Sequence, residues 1–227
     1  MTNVTETNAD VELNQLLATE VDMDALMEDG DAESGTITLN SIYPAGSYLA
    51  QIVSSTAKPA KNADGYAVLI GGKPRIGSHA VKVRLLYDID RAKRVSGFVD
   101  GTTYEFSTTR MALMDTWEVN RGRLLSSLAI ANRYQSGLDD DGTLLTPQRI
   151  RELKVEAASL IKQGAEGFKM KDIHSSADGL LVRINLKEEP ARSYNGKEYD
   201  ARNSFSPEFI DPPTNEQYNM VVGWNQE

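Results

Sequence analysis

Cysteine is absent from the 227 residues, and histidine occurs only at His79 and His174. The first absence excludes disulfide scaffolds, iron–sulfur clusters, thiolate zinc sites and cysteine nucleophiles. The second excludes a multi-histidine metal site. Long apolar runs are missing as well. The longest strongly apolar stretch, Ala67-Val68-Leu69-Ile70, is far short of the ~18 residues that a membrane span needs. No Lys or Arg precedes Lys58, so the basic region that opens a secretory signal is lacking. A soluble, cytoplasmic protein without a membrane partner is the expectation.

What is present is ordinary in amount and uneven in place. Hydrophobic residues make up 40% and charged residues 25% of the chain, enough apolar material for one sizeable core. The formal net charge is -9, from 33 acids and 24 bases. Ten of those acids (Glu6, Asp10, Glu12, Glu20, Asp22, Asp24, Glu28, Asp29, Asp31 and Glu33) fall in residues 1–35, which hold no base and no aromatic. The remaining 23 acids face all 24 bases, so a nearly neutral body follows an acidic leader. Mutual repulsion there argues against an independent fold. Even so, Val11, Leu13, Leu16, Leu17, Val21, Ala25 and Leu26 recur at helical spacing between the acids. The leader is thus expected as largely disordered chain with one possible amphipathic helix, able to dock a partner or to lie in a basic groove.

The body, residues 36–206, reads as strands around a helical insert. Ser47–Val53 alternates after Pro44-Ala45-Gly46, and a short strand is expected near Tyr66–Ile70 within the Lys58–Gly77 loop. Val81, Val83, Leu85 and Tyr87 alternate with Lys82, Arg84 and Leu86. Ser96–Phe106 follows, with Asp100-Gly101 as a two-residue turn. Asn120 can cap a helix whose stripe is Leu124, Leu125, Leu128 and Ala131, ending near Gly137. Thr146-Pro147 opens a second helix that Gly164 closes. Strands are then expected at Phe168–His174 and Gly179–Lys187, and Asn195-Gly196 makes a hairpin turn. Residues 207–227, rich in Pro and Asn, read as an extended C-terminal arm. The resulting fold class is mainly β, a five-stranded Greek-key barrel of the oligonucleotide-binding type. Its helices lie between strands 3 and 4, and it carries a C-terminal hairpin extension and flexible tails. The alternative is an unrelated β-sandwich with a helical insert.

The hairpin sets a register with chemical content. With Asn195-Gly196 as loop, Tyr194 faces Lys197 and Arg192 faces Tyr199, so these four share one side of the ribbon. Interleaved rings and cations suit a single nucleic-acid strand, the rings stacking on bases and the cations meeting phosphates. A cross-strand cation–π ladder that only stiffens the hairpin accounts for them equally well. Basic pairs on other strands favour the first reading: Lys82 with Arg84, Lys169 with Lys171, and Arg183 with Lys187. A groove that tracks phosphates needs such charges, because each neutralised phosphate releases counterions.

The ladder Gly179-Leu180-Leu181-Val182-Arg183-Ile184 and the segment Arg192-Ser193-Tyr194-Asn195-Gly196-Lys197-Glu198-Tyr199 resemble the C-terminal strand and hairpin of phage single-stranded-DNA-binding proteins. Pro44–Tyr48 and Lys82–Tyr87 are similar to the start of that family's barrel, and the resemblance spans about residues 42 to 206. It implies a non-catalytic protein that coats single-stranded DNA in phage replication or recombination, in the host cytoplasm. Replication or recombination proteins could dock on the acidic leader, and a homo-oligomer is compatible with it. Many proteins of this type end in an acidic tail, whereas here the acids lie at the other end. A virion structural or assembly protein that grips neighbours through its tails is the rival expectation.

No enzyme signature is found, and a non-enzyme is expected. Ile70–Pro74 lacks the first glycine and the final hydroxyl of a phosphate loop. Asp139-Asp140-Asp141-Gly142 suggests a calcium loop, but Ile150 stands where the bidentate glutamate belongs. No cofactor or metal is expected.

Overall fold

A computed structural model describes residues 42–62, 64–70, 73–102, 111–194 and 196–224, with backbone alone at 70, 73–74, 111–117 and 194. The acidic leader lies outside the described residues. Ile42–Glu227 forms a compact unit of its own.

Five antiparallel strands build the main sheet: β1 (Gly46–Pro59), β4 (Ile76–Asp88), β5 (Lys93–Asp100), β6 (Leu181–Glu189) and β9 (Arg202–Phe205). Their spatial order is β5-β4-β1-β6-β9. Two small ribbons extend it. The pair β2 (Leu69–Ile70) and β3 (Lys73–Pro74) lies between β1 and β4, and β7 (Arg192–Tyr194) with β8 (Lys197–Tyr199) lies between β6 and β9. Among the described residues three helices separate β5 from β6: α1 (Met111–Arg133), α2 (Pro147–Gln163) and α3 (Met170–Ser175). A fourth, α4 (Asn215–Trp224), follows β9. No described helix is long and apolar enough to cross a membrane.

The period-two pattern decides which residues enter the core. Tyr48, Ala50 and Ile52 of β1, Val81, Val83 and Leu85 of β4, Val99 of β5, Val182, Ile184 and Leu186 of β6 and Phe205 of β9 all point to one side and are buried. Leu124, Leu125 and Leu128 of α1 and Ile173 of α3 close over them. Two irregularities keep inward residues inward as the sheet bends. The register slips by one at Val53 of β1 and at Leu86 of β4, the effect of β-bulges.

The sheet curls until its edge strands approach, and among the described residues side chains, not a ladder, hold the seam. Thr102 donates its hydroxyl to the Phe205 carbonyl at 3.0 Å. Tyr43 bridges the gap. Its amide donates to Asn203 Oδ1 at 2.7 Å, its carbonyl accepts from Asn203 Nδ2 at 2.8 Å, and its hydroxyl donates to the Ser96 carbonyl at 2.5 Å. Two glycines make the approach possible. A Cβ on Gly97 would collide with the Tyr43 ring, and one on Gly101 with the Phe205 ring.

Four expectations are corrected. The turn entering β5 falls at Ile89–Ala92, with Ala92 at φ 49°, and Asp88 holds it through Arg91; Asp100-Gly101 is not a hairpin turn. Instead the Gly101 amide donates to the Val81 carbonyl at 2.5 Å, prolonging the β4–β5 pairing; residues 103–106 lie outside the described ones. The first helix begins at Met111, nine residues before Asn120. Phe168–His174 is not a strand, because Met170–Ser175 is α3. Its apolar residues Met170 and Ile173, with Ala177 just beyond its end, follow helical spacing toward the core, and a four-residue alternation cannot be told from that stripe in sequence.

The last correction concerns the C-terminal arm, which packs on the body. Ile210 is fully buried, and Asp211 pairs its backbone with Arg183 in both directions, at 2.8 and 3.0 Å. Lys154 of α2 fastens the same segment through Asp211 Oδ1 at 2.5 Å and the Glu208 carbonyl at 3.0 Å. Asn215 donates to the Ser136 carbonyl at 3.0 Å.

Candidate nucleic-acid interface

The outward face of β1, β4 and β5 is read directly from the pairing register. Its successive rows are Leu49–Tyr87–Arg94, Gln51–Arg84–Phe98, Ser54–Lys82–Asp100, Thr56–Ala80 and Lys58–Ser78. The first row is partly covered, Leu49 fully and Tyr87 in part, with Arg94 exposed. Trp224 of α4 sits 6.1 Å from the Tyr87 ring, and the Arg94 guanidinium lies 4.3 Å from the Trp224 centroid. Leu49, between Tyr87 and Arg183 in the register, is consequently 0% exposed. The other rows are open.

Phe98 dominates the open part. It is 54% exposed, which is unusual for a large apolar ring on a strand. Arg84, directly opposite, holds its guanidinium 4.9 Å from the ring centroid, and Lys82 holds its ammonium at 5.5 Å. The arrangement leaves a ring and two cations facing solvent. A base can stack on the ring while phosphates meet the cations. Sequence reading picked out Lys82 and Arg84 and missed Phe98. The signal was available: alternation through Val95, Gly97 and Val99 puts Ser96, Phe98 and Asp100 on the outer face.

The hairpin keeps the register expected of it, with Arg192 opposite Tyr199, Ser193 opposite Glu198 and Tyr194 opposite Lys197. Arg192 and Lys197 lie 5.9 and 5.4 Å from the Tyr199 centroid, and Tyr199 is exposed. The Tyr194 side chain is outside the described ones. The ribbon springs from the end of the β6–β9 pair, where Glu189 faces Arg202 and accepts from it at 2.8 Å.

Other cations are placed elsewhere. Lys187 points outward on β6, over the exposed Phe209 ring at 5.8 Å. Arg183 is spent internally: its Nε donates to the Pro212 carbonyl at 3.0 Å, and its guanidinium lies 3.9 Å from Asp211. It fastens the C-terminal segment and is not on the open rows, which corrects its placement with Lys187 as a surface pair. Lys169 and Lys171 sit at the N-terminus of α3, so the basic strand pair expected there does not exist.

The inner face carries a buried polar chain. Ser55 Oγ lies 2.6 Å from His174 Nδ1, and His174 Nε2 lies 2.9 Å from His79 Nδ1, with the rings stacked. Burial pushes His79 down to about 4, helped by His174 and Arg121, and lowers His174 as well. All three residues are shut in the core, so the chain is a structural link between β1, β4 and α3 and has no access to a substrate. Among the described residues no three His, Asp or Glu form a metal-ligating group.

No family model and no curated protein matches the chain. Among solved structures, yeast RPA bound to single-stranded DNA is similar over 89% of this chain and 93% of that one, with 11% identity and a TM-score of 0.27. So loose a superposition transfers neither fold nor ligand.

Proposed function

We propose that this chain is a non-catalytic single-stranded-DNA-binding protein whose strand runs over the open rows of β1, β4 and β5. The observation that carries the reading is Phe98, half exposed between Arg84 and Lys82. Strand topology supports it. Taking β1, β4, β5, β6 and β9 as strands 1 to 5, the pairings are 1-2, 2-3, 1-4 and 4-5, with strands 3 and 5 meeting at the Thr102–Phe205 seam. That is the connectivity of the oligonucleotide-binding barrel, whose ligand crosses strands 2 and 3 between the loops that follow strands 1 and 4. Here those loops are the β2–β3 and β7–β8 ribbons. Arg192, Lys197 and Tyr199 extend the path, and Lys187 borders it.

On the resemblance to phage proteins, the proposed activity belongs to phage replication or recombination. The acidic leader is assigned either a limiting effect on DNA affinity, in which case removing residues 1–35 tightens DNA binding, or the docking of replication proteins. Fluorescence-anisotropy titration with an oligo-dT strand at two salt concentrations tests the core of the reading. Affinity that falls steeply with salt is expected, since each phosphate contact adds about one to the logarithmic salt slope. Absence of binding at low salt, or magnesium-dependent degradation of the strand, overturns it. A defined oligomer that forms without DNA and binds none would move the protein to the virion-assembly class.

A further inference from the structure

Beside Phe98 the open rows dip into a hollow. Ser54, Thr56 and Ala80 are small, and they follow one another on the outward face. Lys58, Lys82 and Asp100 stand around them, enclosing a cavity of about 270 Å³. Sites for drug-sized ligands run from ~300 Å³ upward, so a single nucleobase is the scale of group that fits. Gly101 also lines the hollow and cannot be enlarged without striking Phe205 and the Val81 carbonyl.

Asp100 is the one acid in those rows, and a surface built only to follow phosphates has no use for it. It stands opposite Lys82 in the register, yet among the described residues the two make no ion pair. The Lys82 ammonium leans over Phe98 instead. A carboxylate only accepts hydrogen bonds and an ammonium only donates them. A ligand edge that satisfies both presents two adjacent donors and, next to them, an acceptor.

We infer that the hollow is a guanine-selective subsite, in which Asp100 receives N1–H and N2–H of the base and Lys82 donates to O6. The inference rests on the single-stranded-DNA reading and adds base preference to it at one position. The other bases fit less well. Thymine offers one donor, at N3. Adenine and cytosine each set a ring-nitrogen lone pair against the carboxylate beside their single amino group. Phe98 and Asp100 are two residues apart on one strand face, about 6.8 Å, so a base stacked on Phe98 and its neighbour in the hollow belong to consecutive nucleotides. Ser54 and Thr56 hydroxyls line the floor and can serve the sugar or the base rim.

The test uses the full chain and labelled dT 15-mers carrying one central dG, dI, dA or dC, titrated by anisotropy. The dG strand is expected to bind about tenfold tighter than plain dT, the scale of one bidentate base contact. The dI strand, which lacks the N2 amino group, falls between. Asp100→Asn is expected to erase the dG advantage while dT affinity is kept or raised, because a negative charge has left a cationic face. Asp100 is exposed, and a circular dichroism spectrum identical to wild type confirms folding; Asp100→Ser serves if the first variant misfolds. Equal affinity for all the strands, or a dG advantage that survives in the Asp100 variant, overturns the inference and leaves DNA binding intact. Failure of every strand to bind at low salt overturns the underlying reading as well.

Discussion

One sheet face here has two halves with opposite fates. At one end Leu49 and Tyr87 point outward beside the segment from Asp211 to Trp224, which pairs with Arg183 next to Leu49 and sets Trp224 by Tyr87, and Leu49 is as inaccessible as any core residue. In the next two rows Arg84, Phe98 and Lys82 point outward from the same sheet face and stay open. Strand geometry is common to both halves, so the difference comes from what the later chain lays on them. Leucine marks the covered end; the open end mixes cations with a ring. An apolar outward residue that is buried belongs to packing, whereas one that stays exposed among cations asks for a ligand.

The comparison can be broken most forcefully at Leu49. Leu49→Ala is expected to cost about 3 kcal/mol, the scale of a core leucine truncation, read as a lower urea midpoint, with the oligo-dT affinity of the folded protein unchanged. A cost near zero would show that the C-terminal segment does not cover that row. Phe98→Ala reverses the pattern. Oligo-dT affinity should drop by about 2 kcal/mol, within the range for one stacked base, and the urea midpoint should hold. Loss of stability without loss of affinity would assign Phe98 to the packed half after all.

The inward side of these strands responds to acid instead. His79 has a folded pKa near 4, below its ordinary value of 6.5, so the unfolded chain binds the proton first. The stabilisation is complete above about pH 6.5 and is lost as pH falls toward 4, at up to about 1.4 kcal/mol per pH unit. His174, also lowered, adds to the slope. Chemical denaturation at pH 7, 6 and 5 measures it, and a flat profile would mean that the ring pair is already charged or accessible. The smallest effect is expected at Arg183. Arg183→Gln should lower stability by about 1 kcal/mol and leave DNA affinity alone, since its guanidinium serves Pro212 and Asp211. A clear loss of affinity would return it to the binding surface.

Much of the sheet could be read from the chain. Alternation in β4 and β6 fixed their inward faces, and Asn195-Gly196 fixed the hairpin register, because those signals are local. What lay beyond reach depended on distant chain. Arg183 alternates like any surface cation on β6, and only the return of Asp211, through backbone pairing, turns it into a clasp. Lys169 and Lys171 looked like strand residues because four positions hold too little periodicity to separate two from 3.6. Phe98 was visible as an outward position but was passed over, since its significance comes from Arg84 and Lys82 across the strand. The arm after Pro207 lacked any period of its own, and its order comes from Lys154, Arg183 and Ser136 on other elements.

The seam at Tyr43 has a consequence for how the protein breathes. Elsewhere neighbouring strands are zipped by runs of amide bonds, but between β5 and β9 the join among the described residues consists of a few side-chain contacts from Tyr43, Asn203 and Thr102. Transient parting should begin there, exposing edge amides to deuterium long before those of the central β1. The curled sheet therefore has a built-in split line, and a wedge driven into it would flatten the sheet without unravelling it.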